Sequence, residues 1–186
     1  MGGWLIGVGI IVALTLIWIV ATYNILVRIS NHCKEAWSSI ETELKRRYDL
    51  IPNLVETVKG YAAHEREVLE RVVQARNAAV ASTGSPASQA ADENVLVRSL
   101  RQLLAVVENY PDLKASQNFL ALQEELINTE DRIQRVRRFY NANVRDLANR
   151  IETVPSNLVA RWFGFQNREY FEIDNAIERQ APKVSL

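Results

Sequence analysis

The sequence holds one cysteine and two histidines, and its charges sum to zero. One cysteine forms no intrachain disulfide, so redox chemistry says nothing about compartment. His64-Glu65 begins like the zinc-protease pattern H-E-x-x-H, but Val68 stands where the second histidine is required. His32 is far away in sequence, and no metal site is expected. No glycine-rich loop follows a strand-like stretch, so nothing is built to cradle a phosphate. Serines and acids without a partnered histidine make no nucleophile–base pair. Glu124, Glu125 and Glu130 gather in one stretch, yet no Glu-x-x-His companion exists for a di-iron bundle. No catalytic residue, metal ligand or cofactor site is therefore assigned, and the chain reads as a non-enzyme. Twenty-two basic residues against twenty-two acidic ones leave no electrostatic footprint for nucleic acid.

The first stretch lacks charge altogether: residues 2–27 carry none. As a helix, residues 4–27 measure about 36 Å, enough to cross a hydrocarbon core of about 30 Å. Trp4 at one end, and Trp18 and Tyr23 toward the other, sit where interfacial aromatics belong. A cleaved signal peptide would need a basic start, a shorter apolar run and a small-residue cleavage site. The expected organisation is a short N-terminus (1–3), a transmembrane anchor (4–27), a helical body (28–173) and a polar tail (174–186). Arg28, Lys34, Lys45, Arg46 and Arg47 follow the anchor, so positive-inside logic puts the N-terminus outside and the body in the cytoplasm, at the inner membrane. Gly3 and Gly7 read as ordinary membrane-helix glycines rather than a G-x-x-x-G contact. Cys33 reads as an inert thiol.

Beyond the anchor, steps of three and four from Trp37 fall on Ile40, Leu44, Arg47, Ile51, Leu54, Val58, Tyr61, Glu65, Val68, Val72, Ala75 and Ala79. Roughly six heptads of such spacing predict one long helix lying along others, broken in its apolar character only by Arg47 and Glu65. Pro52 should kink this helix, and Gly60 should weaken it without ending it before Ala81. A Ser-Thr-Gly-Ser-Pro loop follows, then a second helix with Leu96, Leu100, Leu103, Val107 and Tyr110 in its seam. After Pro111-Asp112 a third helix runs from about Phe119 to Val154, with two consecutive steps of four at Val136, Tyr140 and Val144. Pro155-Ser156 opens a short fourth helix stopped by Gly164. Trp162, Phe163, Phe165, Tyr170 and Phe171 are expected to cap the bundle together. The fold class is thus all-α: a transmembrane helix continuing into an antiparallel up-and-down bundle of three long helices plus a short one.

Polar residues inside the seams are the candidate site. Arg47 and Glu65 on the first helix, with Thr129 and Glu130 on the third, are expected to pair in one buried network, because a buried charge must be paired.

These motifs also carry a resemblance. Glu35-Ala36-Trp37-Ser38, Leu44-Lys45-Arg46-Arg47 and Asp49-Leu50-Ile51-Pro52-Asn53-Leu54-Val55-Glu56 resemble the LemA family of bacterial membrane proteins. So do Glu108-Asn109-Tyr110-Pro111-Asp112-Leu113-Lys114-Ala115, Thr129-Glu130, Tyr140-Asn141 and Gly164-Phe165. The resemblance covers nearly the whole chain; His32-Cys33 depart from it, where small or aliphatic residues are usual. It implies a single-span anchor with a four-helix, up-and-down body; it does not imply a catalytic mechanism. It also implies membranes and membrane partners: one branch is associated with shaping magnetosome membranes, and members are often encoded near membrane peptidases.

The resulting expectation is a membrane-anchored scaffold that contacts lipid, self-associates and docks membrane proteins, with no nucleic-acid partner. The alternative is an adaptor or sensor binding a small ligand or peptide within the bundle. Self-association is expected through Trp37, Ile40 and Leu44. With three helices, the third would run away from the membrane and leave that stripe without an intrachain partner.

Overall fold

The computed structural model describes residues 2–174, which are largely helical with no strand among them. The tail expected from residue 174 lies, beyond Asp174 itself, outside the described residues. Six helices follow in order: α1 Gly3–Lys59, α2 Arg66–Ala81, α3 Pro86–Val107, α4 Pro111–Lys114, α5 Gln117–Glu152 and α6 Ser156–Trp162. They form two compact units. One comprises residues 2–37 with Phe139–Glu169, the other Ser38–Arg138 with residues 170–174.

α1 carries the apolar segment and continues through Pro52. Among its apolar residues from Trp4 to Val20 the large side chains other than Ile19 are exposed, as suits a lipid-facing stretch. Thr15 returns its hydroxyl to the Ile11 carbonyl at 2.8 Å, so that polar group is satisfied inside the helix.

One expectation fails here. The first helix does not run on to Ala81; it stops at Lys59, and residues 60–65 turn the chain before α2 begins. Gly60 removes the side-chain bias toward helix, and the turn re-uses the freed carbonyls. Tyr61 and Ala62 both donate their backbone N–H to the Val58 carbonyl, at 3.1 and 2.8 Å. The turn also shifts the seam by one residue. Ala62 and Leu69 are buried in place of Tyr61, Glu65 and Val68, and only at Val72, Ala75 and Ala79 does the expected phase return.

In the second unit α1 and α2 form an antiparallel pair. A groove of about 530 Å³ between them is lined by Val55 and Lys59 on one side and by Arg66, Leu69 and Val73 on the other. α2 then packs against α3, and Arg71, Ala78, Val95 and Gln102 line a groove they share. Ser85 caps α3 by accepting from the Ser88 N–H at 3.4 Å, with Pro86 in the first turn. α5 runs antiparallel to α1: Glu43 meets Arg132 and Arg47 meets Glu130. The bundle therefore has four long helices, α1, α2, α3 and α5, in up-and-down order. The core between them holds Ile40, Leu44, Ile51, Leu54, Leu96, Leu100, Phe119, Leu126 and Ile133. Asn94 pins residues 172–174 by donating to the Glu172 carbonyl at 3.2 Å and accepting from the Asp174 N–H at 2.8 Å. Phe171 and Ile173 are buried beside it.

The first unit is built on aromatics. Tyr23 lies against Phe163 and Phe165, with ring centroids 4.7 and 5.9 Å apart. Trp37 lies against Tyr140 at 5.3 Å. Gly164 takes φ +72° to close α6, and the Phe165 N–H reaches back to the Ala160 carbonyl at 2.9 Å. The five late aromatics thus do not make one cap. Phe163 and Phe165 stack on Tyr23, Phe171 is buried in the other unit, and Trp162 stands in the open.

Candidate functional site: a buried charge network on Arg47

Arg47 follows Leu44 and precedes Ile51 in the α1 seam, so the packing that buries those two buries it as well. A guanidinium taken fully out of water needs hydrogen-bonded partners of opposite charge. Its planar fork reaches two carboxylates on two different helices. One terminal nitrogen donates to Glu130 of α5 at 2.8 Å, and the other donates to Glu93 of α3. Tyr48, the next residue on α1, donates its hydroxyl to the second oxygen of Glu93. Three helices are thereby joined through one cation. Burial disfavours the Arg47 charge, but Glu130 and Glu93 outweigh it and hold its pKa above the ordinary arginine value. Burial also pushes the Glu93 carboxyl upward against the pull of Arg47, and it raises the Tyr48 phenol in the same direction. Two carboxylates sharing one guanidinium carry a surplus negative charge, which fits a raised carboxyl here.

A second layer lies beside the first. Arg132 donates to Glu43 at 3.1 Å, to Glu125 at 2.8 Å and to the Thr129 hydroxyl at 3.1 Å. Thr129 donates its own hydroxyl hydrogen bond to the Glu125 carbonyl at 2.8 Å. Arg47 Nε, Glu130 Oε2 and Gln134 Nε2 are buried and make no hydrogen bond within the described residues.

The same region explains how α1 tolerates Pro52. A proline four residues on leaves the Tyr48 carbonyl without its helical N–H. Arg76 of α2 donates to that carbonyl at 3.3 Å, so a tertiary bond replaces the missing helical one.

Of the residues expected in the network, Arg47 and Glu130 are in direct contact and Thr129 sits in the adjoining layer. Glu65 is not part of it. It lies in the turn before α2 and accepts from the Tyr110 hydroxyl at 3.2 Å, because the break after Lys59 takes it off the seam. Glu93 and Tyr48 were missed. Stepping the α3 seam back by three from Leu96 lands on Glu93, so the signal for it was present. The premise for self-association through Trp37, Ile40 and Leu44 also fails. α5 returns along α1, Ile40 and Leu44 are fully buried within the chain, and Trp37 packs on Tyr140. Cys33 is buried too, and burial raises its thiol pKa, as suits an unreactive side chain. Among the described residues no group of three His, Cys, Asp or Glu side chains is placed to hold a metal ion.

A long apolar N-terminal helix feeding an all-helical body defines a membrane-associated helical protein. The chain belongs to the LemA family, whose model matches residues 36–186. It is 29% identical over 157 residues to Protein LemA of Metamycoplasma hominis, covering 84% of this chain and 71% of that one. It is 27% identical over 175 residues to Magnetosome protein MamQ 1 and Magnetosome protein MamQ 2 of Paramagnetospirillum magneticum, covering 81% of this chain. The match spans 64% of the length of those two relatives.

Proposed function

We propose that the protein is a scaffold without chemistry of its own, anchored by residues 4–27 and docking partner proteins or shaping the membrane from the side where its body lies. The observation that carries this reading is the sealed state of the Arg47 cluster. The buried constellation of ionisable groups on Arg47 is closed to substrate, with Arg47 and Glu93 fully buried and Glu130 nearly so. A joint between helices needs no access; a ligand site does. The adaptor reading would need an opening onto the same residues, and the groove between α1 and α2 is lined by others. The relatives named as magnetosome proteins support a place at membranes. Arg28, Lys34 and the 45–47 triplet, following the apolar segment, support a cytoplasmic body.

The test is purification of the full chain from membranes in mild detergent, with in-cell cross-linking before lysis. A scaffold retains companion proteins in near-stoichiometric amounts, and deleting the body while keeping the anchor abolishes them. Recovery of the protein alone, with cross-linking also blank, contradicts the reading.

A further inference from the structure

α6 presents an apolar face that no part of its unit covers. Leu158 and Trp162, four residues apart on one side of the helix, are 63% and 87% exposed. Val154, just before the helix, is 72% exposed and Phe163, just after it, 51%. The opposite side is ordinary core, with Val159 and Ala160 buried. Exposed large apolar side chains scattered singly need no explanation, but four within residues 154–163, one of them an open tryptophan, do.

Where this face sits says what covers it. Contacts between α1 and the rest of its unit begin near the end of the apolar run: the large apolar residues from Trp4 to Val20 are exposed except half-buried Ile19, then Thr22 and Leu26 are buried. Tyr23, between them, carries Phe163 and Phe165 against its ring. About twenty residues of helix cross a hydrocarbon core, which brings the inner boundary close to Tyr23 when the span starts at Trp4. The end of α6 is therefore fixed by direct contact at the level where hydrocarbon gives way to headgroups. Tryptophan and tyrosine favour that level, and Arg28 and Arg161, both exposed, suit the phosphates beside it.

We infer that α6 lies in the membrane interface as a second membrane contact, with Val154, Leu158, Trp162 and Phe163 set among the lipids of the leaflet on the body side. The inference rests on the reading that residues 4–27 span the bilayer. It adds a surface that neither the span nor the charge network explains: a lipid-facing foot contributed from the far end of the chain's helical order. Such a foot would fix the rotation of the first unit about the span axis.

The test uses the full chain with Cys33→Ala, reconstituted in liposomes, and single cysteines carrying a nitroxide. The sites are Leu158→Cys and Trp162→Cys on α6, Val12→Cys in the span and Thr83→Cys in the α2–α3 linker. Collision rates with oxygen, which partitions into lipid, are compared with those of a water-soluble nickel chelate. The expected result is an oxygen-to-nickel ratio several-fold higher at 158 and 162 than at 83, with 12 higher still. Ratios at 158 and 162 equal to that at 83 would place α6 in water and overturn the inference while leaving the span standing. Shielding of 158 and 162 from both reagents would mean a protein cover, a second copy or another partner, and overturns it equally. A water-like value at 12 would remove the span and the foot together. Circular dichroism of each variant, matching the parent, shows that the fold is intact.

Discussion

The two units of this protein solve the same problem with different materials. In the first, the side chains that hold helices together are aromatic: Tyr23 on Phe163 and Phe165, Trp37 on Tyr140. Its polar groups are mostly satisfied close by in sequence, as where Asn143 donates to the Phe139 carbonyl and Ser156 to the Arg150 carbonyl. In the second unit the deciding contacts are ionic and distant in sequence, with Arg47 meeting Glu93 and Glu130 across three helices. Aromatic packing tolerates small shifts, because its energy falls off gently with position. A buried guanidinium does not: it is either paired or uncompensated. The charge cluster should therefore set which helices meet and in what register, whereas the aromatic contacts hold surfaces together.

The largest effect should come from breaking the cluster at its cation. Arg47→Ala leaves Glu93 and Glu130 facing each other without a counter-charge, and should cost about 3–5 kcal/mol in denaturant unfolding of the detergent-solubilised chain. In the first unit, Phe163→Ala removes a half-exposed ring and the pair it makes with Tyr23. The same measurement should register only about 0.5–1.5 kcal/mol beyond the lost burial. Equal losses from the two would erase the distinction between the units.

Next in size is the proline repair. Arg76→Met should cost about 1.5–3 kcal/mol, the range for a hydrogen bond to a charged donor, by orphaning the Tyr48 carbonyl. In a Pro52→Ala background the helix supplies that N–H itself, so the same substitution should cost clearly less. A double-mutant cycle on positions 52 and 76 reads the difference, and zero coupling would mean that Arg76 is doing something else.

Smaller again is the pH dependence of the cluster. The folded pKa of Glu93 is raised above 4.5, chiefly by burial. A raised carboxyl contributes stability that is fully present below its unfolded value and is lost as pH climbs through the folded one. Wild-type stability should therefore fall relative to Glu93→Gln as pH rises from below 4.5 through that raised value. Thermal melts of the two proteins across this range check the sign. The smallest effect is expected at Glu65, which sits outside the network: Glu65→Gln should leave the unfolding midpoint unchanged within error.

The helix content, the long apolar N-terminal helix, and the burial of Arg47 and Glu130 were all legible in the sequence, because each shows in the period or in its interruption. A charge at a seam position has to be paired, and its partner has to be another seam charge. What was not legible follows from one six-residue turn. The three-and-four spacing runs through Gly60 with only Glu65 interrupting its apolar character, yet residues 60–65 reverse the chain. That single reversal changes the parity of the whole bundle. With three long helices the last would run parallel to the first; with four it returns antiparallel and covers Ile40 and Leu44. The same turn shifts the phase by one, which is why Glu65 was assigned to a network it never reaches. The resemblance to the LemA family implied four helices and was the better guide on this point. Tyr48 lies beside the seam rather than in it, and its role depends on Glu93 arriving from α3.

The most direct measurement asks whether the Arg47 cluster is a joint between helices. The triple variant Arg47→Met/Glu93→Gln/Glu130→Leu removes every charge of the cluster while keeping an acceptor for the Tyr48 hydroxyl. If the cluster only joins helices, the triple variant should regain most of the stability that Arg47→Ala loses, since well-packed neutral residues commonly replace a buried ion pair without net cost. It should also retain membrane attachment and its companion proteins. A triple variant as unstable as the single one, or one that folds normally but loses those companions, would contradict a purely structural role.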